Sequence, residues 1–164
     1  MTEKSDYEKV REFTLDPSLT HDPTPRALNK EEVRFLLGMC VSELVEMAQT
    51  VTDTPEEAMK MITDSVSSDL TRNYEKPRSE IGIMAEQADA AVDCWYYLLN
   101  GFCKKNINPS RVFNVVHNAN MAKKFPDGTF HRREDGKIIK PPNWEEPNIE
   151  KEIIEQVLES DRSQ

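Results

Sequence analysis

The chain has 164 residues, enough for one ordinary domain, yet short enough that a helical protein of this size often leans on a partner subunit. Hydrophobic residues make up 37% of it and charged residues 31%, and no run approaches the roughly 18 apolar residues of a membrane span, which argues against a membrane-embedded protein. A formal net charge of -9 disfavours nucleic-acid polymers and anionic membranes as partners, because both are bound through Lys and Arg neutralising phosphates.

Met1-Thr2-Glu3-Lys4-Ser5-Asp6 leads into further charges rather than an apolar core with a cleavage site, so a cytoplasmic location is expected. Residues 3–14 read as a short amphipathic helix, and Asp16-Pro17, Asp22-Pro23 and Thr24-Pro25 mark an irregular stretch ending near Asn29. Asn29 with Glu32 resembles a capping box. Beyond it Val33, Leu36, Leu37, Cys40, Val41, Leu44, Ala48 and Val51 recur at helical spacing, predicting a helix over about 30–51. Thr54-Pro55-Glu56-Glu57 supplies a cap, a first-turn proline and acidic residues for a second helix to about 68, and residues 69–78 read as a loop.

The most apolar segment, 79–105, is expected to form a buried helix. Asn108-Pro109 opens another running to about Lys124, and these two should form an antiparallel hairpin. Thr129–Arg133 and Lys137–Lys140 flank Glu134-Asp135-Gly136, predicting a small β-hairpin or ordered loop. Pro141-Pro142 and Pro147 enclose Asn143-Trp144, and a charged helix closes the chain over 148–159. The organisation read from this is a lead-in over 1–28, an all-α domain over 29–149 and a helical tail over 150–164. Cys40, Cys94 and Cys103 are odd in number, lack CxxC spacing and fall in apolar patterns, as reduced core thiols would.

Two acidic clusters carry the chemistry: Glu43-x-x-Glu46, and Glu86-x-x-Asp89-x-x-x-Asp93. At about 100° per residue each projects as a patch roughly 60° wide. An ExxE pair alone is commonly a solvated face. Here, however, Leu36 and Met47 border Glu43, Phe35 and Met39 border Glu46, and the wettest direction runs through Arg34, Gly38, Ser42 and Gln49. The second cluster sits in a helix apolar almost all round, with no Lys or Arg before Lys104. Burying three unpaired carboxylates there would cost several kcal/mol each. Protonation, Arg or Lys from elsewhere, or a hard divalent cation would relieve that cost. The all-oxygen donor set favours Mg²⁺ or Mn²⁺ over zinc, and a metal is the preferred answer.

An ExxE helix followed by an E/DxxD helix in an all-α chain resembles the MazG-like nucleoside triphosphate pyrophosphohydrolase superfamily. The likeness is to its phosphoribosyl-ATP-pyrophosphohydrolase-like branch, through Glu86–Asp93, Val112–Lys123 and Arg133–Trp144. The resemblance covers roughly residues 29–149. It implies a helical bundle working as a homodimer or tetramer, and Mg²⁺-dependent hydrolysis of (deoxy)nucleoside triphosphates, or related nucleotides, to a monophosphate and pyrophosphate. By the same implication Glu43, Glu46, Asp89 and Asp93 look like the Mg²⁺ ligands, with Glu86 a further member, and Mn²⁺ is a substitute. Glu46 and Glu43 are the catalytic candidates, Glu46 as the base toward water.

Asn120 and Lys123 match an Asn-x-x-Lys element similar to those that contact phosphate or sugar oxygens. Lys123 with Lys124 is equally a favourable pair of charges at a helix C-terminus. Lys137 and Lys140, with Arg132 and Arg133, form the densest basic stretch and are candidate neighbours of a triphosphate or simply an exposed hairpin. Trp144 either stacks on a base or pins the tail, and His117 reads as structural. Ser42 stands where many relatives carry another acid, and forty positions separate Glu46 from Glu86, which leaves the metal count and pocket open. The rival readings are phosphoribosyl-ATP hydrolysis, a non-catalytic metal- or nucleotide-binding helical module, and a structural dimer whose acids pair with a partner's Lys and Arg.

Overall fold

The computed structural model describes residues 4–15, 24–65, 79–134 and 137–162. Regular structure among them is helical: α1 (Asp6–Thr14), α2 (Lys30–Gln49), α3 (Pro55–Ser65), α4 (Glu80–Cys103), α5 (Pro109–Met121) and α6 (Ile149–Arg162). The fold class is all-α. The expected hairpin is present only as an isolated antiparallel bridge between Arg132 and Ile138, flanked by Arg133 N–H donating to Lys137 O and Ile139 N–H to His131 O. The loop predicted over 69–78, and the last residues of the helix predicted to 68, lie outside the described residues.

The chain divides into two compact units, one of Met1–Thr24 with Val92–Gln164 and one of Pro25–Ala91. In the second unit α2 packs against α3. Helix α2 begins where the capping residues predict: Asn29 Oδ1 accepts from Glu31 N at 2.9 Å and Glu32 N at 3.0 Å, while Glu32 Oε2 accepts from Asn29 N at 2.8 Å. Two N–H donors first turn-bound in this way are ones the helix itself cannot satisfy. The Gln87 side chain of α4 donates to Leu28 O at 2.8 Å and accepts from Leu28 N at 2.7 Å, tying α4 to the segment that leads into α2.

Arg26 completes this corner with two guanidinium hydrogen bonds to Glu32, at 2.8 and 2.5 Å. These bonds, then the Asn29 N–H, hold the Glu32 carboxyl down at about 2. Because the folded-state value lies below the unfolded one, Glu32 stabilises the fold fully above the ordinary carboxylate range, and that contribution is lost as pH falls through about 2. Thermal melts of the native protein and Glu32→Gln should therefore differ at pH 6, with the native higher, and converge toward pH 2. A gap constant with pH would contradict the pairing.

In the first unit α5 is the centre, packed on α1 and on α6. Phe13 of α1 meets Phe130 with ring centroids 4.8 Å apart, and Lys9 Nζ donates to Asn114 Oδ1 at 2.5 Å. Phe130 is 3% exposed and, among the described residues, is the largest of the buried hydrophobic side chains, beside Ala48 and Ala58. Arg111 fastens α5 to α6 through Glu152 and Glu159, each at 2.6 Å. The turn 125–128 needs its glycine: Gly128 takes φ 81° while its N–H donates to Phe125 O at 2.8 Å.

Three expectations are corrected. No residue of α4 is buried, although its composition reads as a buried helix. The close neighbours of α5 are α1 and α6, so no tight α4–α5 hairpin forms; the two helices converge only at a shallow apolar notch between Trp95, Leu98, Leu99 and Phe102 and Pro109, Ser110 and Phe113. Cys40, Cys94 and Cys103 are free as expected, but exposed. The reason is common to all three. Among the described helices of its own unit, none approaches either half of α4 at close backbone range, so its apolar surface is left exposed by the described residues.

Candidate active site

Glu43 and Glu46 lie one turn apart on α2, and Glu86, Asp89 and Asp93 follow one another along α4. All five are exposed. Among the described residues, no three His, Cys, Asp or Glu side chains stand close enough together to hold a metal ion. The sequence expects these acids in a sheltered pocket; among the described residues no helix packs closely on α4 to shelter them. Nor does it supply cations: among the described residues no Lys or Arg pairs with Glu43, Glu46, Asp89 or Asp93.

Along α4 the acids border an apolar stripe. At about 100° per residue, Ile81, Ala85, Ala88, Val92 and Tyr96 fall on one face, directly beside the line of Asp89 and Asp93. Ile81 is 75% exposed and Val92 58%. On α2, Phe35 at 72% and Met39 at 43% lie beside Glu46 in the same manner. Carboxylates at the edge of uncovered apolar faces become sheltered when those faces are covered.

The basic candidates are gathered more closely, all within the first unit. Lys123, just beyond the end of α5, donates to Asn120 Oδ1 at 2.7 Å, and its Nζ stands 5.5 Å from the centre of the Trp144 ring. Lys140 Nζ lies 4.0 Å from the same centre. The indole is fixed by Nε1–H donating to Ala119 O at 2.7 Å and by the backbone N–H of Trp144 donating to Pro141 O at 2.9 Å. Trp144 thus pins the segment after the loop to the end of α5. Lys137 is on the returning arm of the loop, its carbonyl accepting from Arg133 N at 2.9 Å. His117 stacks on Phe113, with centroids 6.3 Å apart, in keeping with a structural role.

Sequence reasoning missed the neighbouring cluster. His131 stacks on Phe125 at 3.9 Å and meets Asp127 Oδ2 through Nε2 at 2.7 Å, and Lys124 Nζ stands 5.2 Å from the Phe130 ring centre. His131, then the backbone and hydroxyl of Thr129, hold the Asp127 carboxyl at about 2. The Asp-Gly turn was the available signal, because an Asp before a turn glycine commonly accepts from the backbone two residues on, as Asp127 Oδ1 does from Thr129 N at 2.9 Å.

Residues 11–120, about two thirds of the chain, match the model of a protein family described as phosphoribosyl-ATP pyrophosphohydrolase. No curated protein matches the chain. Its fold is similar to the crystal structure of a candidate NTP pyrophosphohydrolase from Exiguobacterium sp. 255-15, with a TM-score of 0.80, 25% identity, and coverage of 97% of this chain and 99% of that one. Among the described residues no helix is long and apolar enough to cross a membrane.

Proposed function

The chain belongs to the phosphoribosyl-ATP pyrophosphohydrolase family, and from that premise we propose that it hydrolyses a (deoxy)nucleoside triphosphate or related nucleotide to the monophosphate and pyrophosphate. The reaction is Mg²⁺-dependent, and the enzyme works as a homodimer or a dimer of dimers. One observation carries the metal reading. Four carboxylates on two helices, Glu43, Glu46, Asp89 and Asp93, are exposed beside apolar stripes and meet no Lys or Arg of the described chain. Once a second copy covers those stripes, acids left without a cation would bear a desolvation cost of several kcal/mol. A hard divalent ion with oxygen ligands removes it.

The donor set suits that ion, with Glu86 alongside and Mn²⁺ as a substitute. When bound, Mg²⁺ supplies neutralisation of the phosphate oxygens and a more acidic water. The rest falls to the chain's own residues. Glu46 takes the proton from the attacking water, with Glu43 one turn away holding that water in place. The water oxygen bonds to phosphorus, the bond from phosphorus to the bridging oxygen breaks, and pyrophosphate departs with the electron pair. The amide of Asn120 and the ammonium groups of Lys123 and Lys140 hold phosphate oxygens, and Lys137 adds positive charge along the loop.

The family's own description favours a second substrate, phosphoribosyl-ATP, with the same chemistry and a different pocket. Pyrophosphate release measured over dNTPs, NTPs and phosphoribosyl-ATP, with and without Mg²⁺, separates the readings. The proposal expects release from at least one of them that stops when Mg²⁺ is chelated. Thermal stabilisation by Mg²⁺ with no release from any of them would instead identify a binding module.

A further inference from the structure

The shallow notch between the start of α5 and the second half of α4 has a volume of about 140 Å³ and is lined by Trp95, Leu98, Phe102 and Phe113 among others, with Asp6 of α1 as its charged member. Asp6 is half-buried, and among the described residues it takes part in no hydrogen bond or ion pair. Capping does not account for it, because Ser5 and Glu8 close the capping box of α1 by themselves. A carboxylate beside three aromatic rings is thus left without a donor, and no step of the hydrolysis uses it. Trp95 lies about 200° round α4 from Asp93, so a molecule seated in the notch leaves the acids unobstructed. Phe113 is parallel to His117, with ring centroids 6.3 Å apart, which gives the α5 wall of the notch a set orientation.

Resting on the pyrophosphohydrolase reading, we infer that this notch receives the base of the nucleotide, that the base is cytosine, and that Asp6 selects it by accepting from its exocyclic amino group. Size decides first. An apolar cavity of about 150 Å³ takes a single six-membered ring, whereas pockets for whole ligands run to roughly 300–1,000 Å³; a pyrimidine ring fits the notch and a purine does not. Every base has a π-face, so the aromatic walls hold without choosing, and the choice falls to Asp6. An ionised carboxylate only accepts. Cytosine offers it the N4 amino group, while uracil and thymine put a carbonyl oxygen there and flank their one N–H with two such oxygens. Register along α5 agrees. Asn120 follows Phe113 by seven residues on the same side of the helix, about 10 Å further along at 1.5 Å per residue. A base in the notch therefore extends its phosphates along α5 toward the Asn120 amide and the Lys123 ammonium that it orients.

The test measures pyrophosphate release by the full-length protein from dCTP, dUTP, dATP, dGTP and phosphoribosyl-ATP at saturating Mg²⁺, native beside Asp6→Asn. The native kcat/KM is expected to be highest for dCTP, at least about tenfold above dUTP, the discrimination typical of one base contact. Asp6→Asn should bring that ratio toward one, since an amide both donates and accepts. Both substrates are read on one preparation, so a loss of folded protein cancels from the ratio. Leu98→Phe, which fills the notch, should raise KM for dCTP about tenfold, the size of a lost base–aromatic contact, with kcat changed far less. A purine or uracil nucleotide preferred by the native protein, a ratio that survives Asp6→Asn, or an unmoved KM in Leu98→Phe would overturn the inference. Calorimetric titration of native and Asp6→Asn protein with cytidine and uridine monophosphates separates it from the reading it rests on. A preference for cytidine monophosphate that is lost in Asp6→Asn, without turnover of any nucleotide, leaves the pocket standing and removes the function. Turnover with equal kcat/KM for dCTP and dUTP removes the pocket alone.

Discussion

Glu46→Ala is expected to lower kcat by about 10²–10⁴-fold at saturating Mg²⁺, the range a positioned general base contributes, with KM changed far less. The argument turns on what a carboxylate on α2 can do. Glu43 and Glu46 are exposed, lie one turn apart and, among the described residues, pair with no cation, so each is free to act as ligand or base. The two roles separate experimentally. A residue that only holds metal is expected to raise the Mg²⁺ concentration needed for half-maximal rate, and Asp89→Asn should behave in that way, with much of its rate recovered at high Mg²⁺. A base leaves a deficit that added Mg²⁺ does not repair. Near-normal turnover by Glu46→Ala would remove it from that role and pass the assignment to Glu43.

The second large effect concerns assembly. The native protein should elute with a light-scattering mass of at least two copies of the 18.9 kDa chain. Val92→Asp should weaken association by about 100-fold or more, since a charge buried at an apolar contact costs several kcal/mol. Ile81, Val92 and Tyr96, at 75%, 58% and 68% exposure, make a stripe along α4 that no described helix covers. Fully burying one such side chain is worth about 1.5–3 kcal/mol. Pyrophosphate release should fall together with mass, because the acids beside the stripe gain their shelter from the same contact. Ile81→Asp, farther along the helix from Asp89 and Asp93, controls for direct disturbance of the acids. Helical circular dichroism should stay near native in both variants. A native protein that is fully active as a single chain would contradict this part of the account.

Local structure was largely legible from the residues. The Asn29–Glu32 capping box, the Thr54 cap whose Oγ1 accepts from Glu57 N at 3.2 Å, and Asn108 before Pro109 all stand where the spacing predicts, because capping is decided within a few residues. What covers a helix is a different kind of fact. The composition of α4 reads as buried, and it is exposed, because a hydrophobic run specifies that a helix seeks cover but not which element supplies it. The same gap separates the acidic spacing, visible at once, from the absence of any gathered trio of acids among the described residues. The Lys123–Trp144–Lys140 group lies between. Its members were singled out for chemistry, but their meeting on one ring depends on how the loop after α5 returns, through Gly128, Pro141 and the Trp144 to Ala119 hydrogen bond, and no periodicity encodes that path.

Mn²⁺ soaked into crystals of the assembled enzyme, located by anomalous scattering at the manganese edge, tests the central claim most directly. The account predicts a peak at direct coordination distance from carboxylate oxygens of Glu43, Glu46, Asp89 and Asp93, lost in Asp89→Asn at the same concentration. Those four acids ordered and pointing apart with no peak between them, in an enzyme that still releases pyrophosphate, would contradict it.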